Sequence, residues 1–336
     1  MTESMMHAVQ IHSAGGPEVL RYEQVRRPEP RAGEVLVRVH AIGLNPPDWY
    51  VREGMTNVPE EWRPVFTYPL ILGSDISGVV EAVAPDVTHL APGDEVFGLI
   101  RFPDGLANAY AEFVAAPATD LARKPASIDH IHAAAAPMAG LTAWQFLIER
   151  GHDTVPPFQA ELHHPVPLHE GTRVMVNGAA GGVGHIAVQL AKWKGAHVLA
   201  VASGAHRSFL EQIGADEVLD YTVTSPEHSG EVFDLVLDSV GGADTGRFLA
   251  NVTRGGALFP VFFGPVDPQR AAAEDVYVSS TQVRANGAQL AELAELLDSG
   301  IVRVAIDSTY PLADAQLAHE RAAEGHLQGK IVLTVA

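Results

Sequence analysis

Residues 174–191, Val-Met-Val-Asn-Gly-Ala-Ala-Gly-Gly-Val-Gly-His-Ile-Ala-Val-Gln-Leu-Ala, constrain this chain more tightly than any other stretch. An apolar, β-branched run leads into a glycine turn. The turn opens a segment whose Val183, Ile186, Ala187, Leu190 and Ala191 share one face at helical spacing. The pattern predicts strand, turn, helix. Gly178, Gly181 and Gly184 stand in a G-x-x-G-x-x-G relation, which permits a sharp turn, close approach of backbone to a pyrophosphate, and tight packing of helix on sheet. The anion would sit at the helix N-terminus. A glycine turn without ligand is the plainer alternative, and the flanking strand and amphipathic helix argue against it.

The same alternation continues downstream. Strands and helices are expected at 173–177, 183–194, 197–202, 206–213, 218–220, 234–238, 244–251 and 257–262, an α/β pattern that specifies a doubly wound parallel sheet covered on both faces. Residues 234–242, Asp-Leu-Val-Leu-Asp-Ser-Val-Gly-Gly, read as a later strand whose carboxyl end faces a ligand crevice.

The N-terminal third reads differently. Short, partly alternating apolar runs at 8–12, 34–42, 76–84, 95–99 and 110–114 are punctuated by prolines at 28, 30, 46, 47, 59, 64, 69 and 92, which excludes long helices and suggests a small, irregular barrel. An alanine run at 133–136 then leads into a helical pattern at 141–148. After an expected strand at 277–283 and a helix at 288–297, strands at 309–312 and 330–335 are expected to return to the first domain. The predicted division is a discontinuous, mostly β domain of residues 1–137 and 285–336, and a dinucleotide-binding domain of residues 138–284.

Which dinucleotide is decided at the end of the second parallel strand. A carboxylate there suits the free ribose 2′-hydroxyl of NAD and repels the 2′-phosphate of NADP. No Asp or Glu occurs between Glu170 and Glu211, and the strand runs into Ser203-Gly204-Ala205-His206-Arg207. Ser203 can donate to a phosphate and Arg207 can pair with it, which favours NADPH. The alternative for Arg207 is a solvated first-turn residue.

Charge and composition narrow the function classes. With 41 Asp and Glu against 22 Lys and Arg, the formal charge is −19, which argues against nucleic acid or an anionic membrane as partner. The N-terminus lacks a basic region followed by an apolar one, and no apolar run has the length to span a bilayer. A cytoplasmic enzyme acting on a small molecule is expected. Cysteine is absent, which removes disulfides, thiolate nucleophiles and cysteine-ligated zinc. Among 16 histidines none forms H-E-x-x-H, since His319-Glu320 meets Ala323 at the next turn. His152, His163, His164 and His169 lie in a proline-rich stretch and read as solvated loop histidines rather than ligands.

Several phrases, taken in order, resemble the medium-chain dehydrogenase/reductase superfamily and its zinc-free quinone oxidoreductase branch. They are Gly15-Gly16-Pro17-Glu18-Val19-Leu20, Gly33-Glu34-Val35-Leu36-Val37-Arg38-Val39, Gly43-Leu44-Asn45-Pro46-Pro47-Asp48, Gly73-Ser74-Asp75-Ile76-Ser77-Gly78, Gly93-Asp94-Glu95-Val96, Gly214-Ala215-Asp216 and Gly329-Lys330-Ile331-Val332-Leu333, with the glycine turn among them. The resemblance runs nearly end to end. It implies a GroES-like substrate domain joined to a Rossmann domain, a nicotinamide in the cleft between them, and a homodimer formed through outer Rossmann strands, for which 277–283 is the candidate edge.

The resemblance also implies roles. The zinc ligands of metal-dependent members, Cys, His and Cys, fall at Asn45, near Ser74 and close to Ala139, and the four-cysteine lobe has no counterpart between Gly98 and Tyr110. Without a Lewis acid, reduction of a quinone or an α,β-unsaturated carbonyl is easier than alcohol oxidation. Asn45, Asp48 and Tyr50 match the catalytic region: Asn45 as donor to the developing enolate oxygen or as turn filler, Tyr50 as donor, proton source or cleft wall, Asp48 as an orienting group. Thr142, Gly178, Ala180, Gly181, Gly182, Val183, Gly184, Ser203, Arg207, Tyr221, Ser239, Val240, Phe262, Phe263 and Lys330 carry the expected cofactor contacts. Phe262 and Phe263 have strand-end core as their other reading. Residues 55–69, with Trp62, Phe66 and Tyr68, and the 151–170 connection are expected to set substrate choice. Two other functions stay open: a free-standing enoyl reductase of a biosynthetic pathway, and a non-catalytic NADPH-binding protein.

Overall fold

A computed structural model describes residues 4–56, 58–155, 161–262 and 264–336. Its central feature is a six-stranded sheet in the order Glu217–Asp220, His197–Ala202, Arg173–Asn177, Phe233–Asp238, Val252–Pro260, Tyr277–Val278, every pairing parallel. Successive side chains of Arg173–Asn177 point to opposite faces and both faces are covered. Val174 and Val176 join a core with Ile186, Ala187 and Leu190, while Met175 joins another with Phe248 and Leu258. That explains why the strand reads as an unbroken apolar run.

A second sheet has seven strands, in the order Ile306–Pro311, Lys330–Thr334, Glu34–Gly43, Asp75–Val83, Glu95–Leu99, Leu121–Arg123, with Phe113–Pro117 also paired to Glu34–Gly43. Glu34–Gly43 shares one edge between two partners: Glu34 to Arg38 pair with Phe113–Pro117, and Ala41 to Gly43 pair with Lys330–Thr334. Register shifts between Leu36 and Val37 and between Val39 and Ala41 bend this strand. A small third sheet, Leu20–Arg26, Met5–Ile11 and Leu70–Ile71, completes the β-rich part. The fold is the α/β architecture the sequence pattern specifies, a parallel Rossmann sheet with a separate, mostly β unit.

Some expectations change in detail. The strand anticipated at 277–283 is only Tyr277–Val278, because Ser279 hydrogen bonds back to Leu258 and the following residues leave the ladder. Residues 245–251 form a 3-10 helix rather than an α-helix. The helix expected at 206–213 is a 3-10 turn, Gly204–His206, followed by Arg207–Gln212. His163 is a buried core residue and not a solvated one, held between Ser279 Oγ and the Phe146 carbonyl. Among the described residues no helix is long and apolar enough to cross a membrane.

Candidate active site

Between the two large sheets lies a cleft of about 1240 Å³. Its glycine wall is built as the sequence implies. Gly178 adopts φ +73°, a conformation that favours glycine, and a Cβ on Gly184 would stand 2.2 Å from the Gly178 carbonyl oxygen, so both must be glycine. Gly181 precedes the helix Gly182–Trp193, and Gly178, Ala180, Gly181, Gly182 and Val183 line the cleft. Gly184 does not line it and instead packs the helix on the turn. The backbone therefore approaches the cleft closely at a helix N-terminus, and the cradle fits a dinucleotide pyrophosphate.

The floor comes from the other sheet. Pro46 and Pro47 open the short helix Pro46–Arg52, with Asn45 before it and the Asp48 carboxylate accepting from the Asn45 N–H at 2.9 Å. Lys330 begins the strand that pairs with Gly43, so its side chain emerges beside this helix. Lys330 Nζ donates to the Leu44 carbonyl at 2.5 Å and to Asn45 Oδ1. Asn45 Nδ2 donates to Asp75 Oδ2 at 2.9 Å and to the Gly43 carbonyl at 3.2 Å. Both amide hydrogens of Asn45 are thus engaged, which corrects the expectation that Asn45 donates to substrate oxygen. Its role here is to hold Lys330 and Asp75 together.

Burial decides the electrostatics of this group. It pushes the Asp48 carboxyl up to about 7, with Asp75 adding repulsion, while the Asn45 N–H, Lys330 and Tyr110 oppose the rise. Asp75 is likewise pushed up to about 6 by burial, against the pull of Lys330, Asn45 and the Met138 N–H. Burial draws Lys330 below its ordinary value, and Asp75 and Asp48 push it back. Tyr50 is half-buried, lines the cleft and lies 5.5 Å ring to ring from Phe262. Burial, and after it Glu53, raises its hydroxyl.

Thr142, Ser203, Tyr221, Ser239, Val240 and Phe262 all line the cleft as anticipated. Ser239 Oγ donates to the Asn177 carbonyl at 2.7 Å and Thr142 Oγ1 to the Met138 carbonyl at 2.6 Å. Phe263 lies outside the described residues, as do residues 156–160 and the Trp62 side chain. Arg207 is a correction: it is not among the lining residues. Its guanidinium donates to the Val218 carbonyl at 3.0 Å and stands 3.8 Å from Glu211, one turn along its own helix. His206 lines the cleft in its place, with Nδ1 3.1 Å from Gln328 Oε1.

Parallel pairing also brings in a carboxylate that chain order hides. Asp220 pairs in register with Ala202, and a Cβ on Gly204 would meet its Oδ2 at 2.3 Å. Thr222 holds Oδ1 through its hydroxyl and its N–H, which keeps the acid below the usual carboxylate range. Sequence reasoning also missed Asp75, Arg52, Tyr110 and His319. The signal for Asp75 was a lone acid opening an apolar strand. The others carried none.

The side chains at the zinc-ligand positions do not suit the metal. Asn45 spends its amide on protein partners, Ser74 offers a hydroxyl and Ala139 a methyl group, none of them a thiolate or imidazole. Among the described residues no group of three or more His, Asp or Glu is placed to hold an ion.

Comparison with known proteins agrees with this arrangement. Residues 31–126 match the alcohol dehydrogenase GroES-like domain and residues 213–333 the family of zinc-binding dehydrogenases. The chain is 32% identical to a chloroplast envelope quinone oxidoreductase homolog of Arabidopsis thaliana, over 99% of each chain. It is 32% identical to the mitochondrial NAD(P)H oxidoreductase RTN4IP1 of Mus musculus, over 99% of this chain and 90% of the relative. The quinone oxidoreductase of Coxiella burnetii superposes with a TM-score of 0.84 at 30% identity, covering 99% of this chain and 100% of that one. A mycobacterial protein complexed with NADPH superposes at 0.79 with 32% identity, covering 98% and 100%. The chain belongs to the medium-chain dehydrogenase/reductase superfamily, in its quinone oxidoreductase branch. It is an oxidoreductase of the nicotinamide-dependent class.

Proposed function

We propose that this protein is an NADPH-dependent reductase of quinones or α,β-unsaturated carbonyls, acting on small free substrates without a catalytic metal. One observation carries this: a glycine cradle at a helix N-terminus and a buried Lys330–Asn45–Asp48 group line the same cleft. When bound, the nicotinamide supplies a hydride. Charge then gathers on the substrate oxygen, where the Tyr50 hydroxyl and the Lys330 ammonium are the donors that stabilise it. Asn45 fixes Lys330, and the two acids favour its protonated form. Tyr50 or water completes the reduction with a proton. Met55, Val58, Val65, Phe66, Phe102 and Leu106 also line the cleft, an apolar lining that suits a flat ring.

Preference for the phosphorylated cofactor rests on Ser203, His206 and Tyr221 at the adenosine end of the cleft, which Asp220 does not line, and on the resemblance to the NADPH-bound mycobacterial protein. The edge strand Tyr277–Val278 leaves room for a second copy to extend the parallel sheet as a homodimer. NADPH oxidation against a panel of quinones and enones tests the activity. Steady turnover with at least one is expected. Tight NADPH binding without turnover would identify a binding protein, and turnover confined to acyl-thioester enoyl substrates would identify a biosynthetic enoyl reductase.

A further inference from the structure

Behind the cleft floor, distant parts of the chain join into one buried line. Arg52 Nη1 lies 2.8 Å from His319 Nδ1, His319 Nε2 lies 3.0 Å from the Tyr110 hydroxyl, and that hydroxyl lies 3.3 Å from Asp48 Oδ2. None of these side chains is more than 4% exposed. Arg52 ends the helix whose first turn carries Asp48, while His319 comes from the helix Ala315–Ala323. Gly73 makes room for the phenol, since a Cβ there would meet its ring at 2.4 Å.

The direction of every hydrogen in this line follows from its first member. A guanidinium only donates, so His319 Nδ1 must accept. Burial and the Arg52 charge push the imidazole down to about 3, so it is neutral at working pH. A neutral imidazole with Nδ1 bare carries its hydrogen on Nε2 and donates it to the Tyr110 oxygen. The phenol hydrogen is then committed to Asp48 Oδ2. Moving a proton along this line would require Arg52 to surrender one, which a guanidinium does not do in a protein. The line is therefore a fixed train of dipoles and not a proton wire.

We propose that Arg52, His319 and Tyr110 are positioning residues that act in series to hold Asp48 as a hydrogen-bond-accepting carboxylate beside Lys330, and so set the proton affinity of the cleft floor. Other charged and polar groups face the line: Asp75 and Lys330 beside Asp48, the Asn45 N–H on the same Oδ2, and Glu53 and the Gly15 carbonyl on Arg52. Only the kinetic consequence rests on the reductase reading. The proton affinity of Asp48 is a property of the apoprotein.

The test is a carbon-13 titration of labelled aspartate carboxyls in the apoprotein, with the Asp48 signal assigned by its loss in Asp48→Asn. A hydroxyl that donates to a carboxylate favours its charged form, so losing it moves the midpoint alkaline, by about one pH unit. Tyr110→Phe is expected to do this directly. Arg52→Met is expected to match it from a distance, because the freed imidazole can move its hydrogen to Nδ1 and accept the phenol hydrogen on Nε2. The double variant should move no further than Tyr110→Phe alone. An unmoved midpoint in Arg52→Met would overturn the proposal. So would additive shifts in the double variant, which mark a guanidinium acting through space. Should Arg52→Met fail to fold, nitrogen-15 shifts of the His319 ring in the wild-type apoprotein decide: a protonated Nε2 with a bare Nδ1 is expected, and the opposite tautomer would overturn the proposal. In the loaded enzyme the pH profile of kcat should shift in parallel. If no substrate turns over, the apoprotein titration still decides.

Discussion

Lys330 Nζ donates to the side-chain oxygen of Asn45, a residue 285 positions earlier in the chain. This bond ties the last strand of the seven-stranded sheet to the helix at the cleft floor. It also holds a cation within electrostatic reach of two buried acids, Asp75 and Asp48.

Lys330→Met keeps the stem and removes the charge. Turnover is expected to fall by about tenfold or more, as for loss of a charge-assisted donor. The same variant should lose more thermal stability at pH 8 than at pH 5, because at pH 5 Asp48 and Asp75, raised to about 7 and about 6, are mostly protonated and need no cation. Steady-state kinetics and melting curves at the two pH values check both. Equal destabilisation at pH 5 and pH 8 would remove Lys330 as the counter-ion.

Tyr50 stands on the cleft surface against Phe262. Tyr50→Phe preserves that contact and deletes the hydroxyl. Its kcat should drop by about tenfold or more while the Kd for NADPH changes by less than about twofold. Unchanged turnover on every substrate would leave Tyr50 as cleft wall.

At the adenosine end, His206 lines the cleft and Arg207 does not. His206→Ala is expected to weaken NADPH more than NADH, by about fivefold or more for loss of one phosphate contact. Arg207→Ala should affect both cofactors alike, since its guanidinium is bonded to Val218. Fluorescence titration with each nucleotide gives the four constants. A selective loss of NADPH in Arg207→Ala would restore that arginine to the phosphate site.

His163 is buried between Ser279 and Phe146, and burial pushes its imidazole down to about 4. The unfolded chain protonates it near its ordinary value of 6.5. Folding is thus opposed by proton uptake, and the contribution present above about pH 6.5 is lost as the pH falls toward about 4, on the order of 3 kcal/mol. His163→Gln should flatten the pH dependence of the melting temperature between those limits. Parallel curves for variant and wild type would refute the assignment.

What chain order made legible is what neighbours in sequence decide. The strand, turn and helix over residues 174–191 are close in space because they are close in the chain, and two of the glycines that signal the turn, Gly178 and Gly184, are ones a Cβ would jam. The apolar run at Arg173–Asn177 was readable as a doubly covered strand because both of its faces are buried. Family phrases at residues 43–48 and 329–333 pointed to the right segments of the cleft.

The chemistry within those segments was not legible. Asn45 looked like a free donor until Gly43 and Asp75 were seen to take both hydrogens. The absence of acids between Glu170 and Glu211 looked like an empty carboxylate position, yet parallel register sets Asp220 beside Gly204. His319 read only as a failed metal motif, and no spacing announces a bond to Arg52 across 267 positions.

By itself, then, the sequence determined the α/β architecture, the glycine cradle and the family, because periodicity and turn chemistry act over a few residues. Tertiary structure alone decided which hydrogens are already bonded, which side chains face the cleft and which acids rise in pKa. Those depend on burial and on partners hundreds of positions away, and the order of the chain does not encode distance in space.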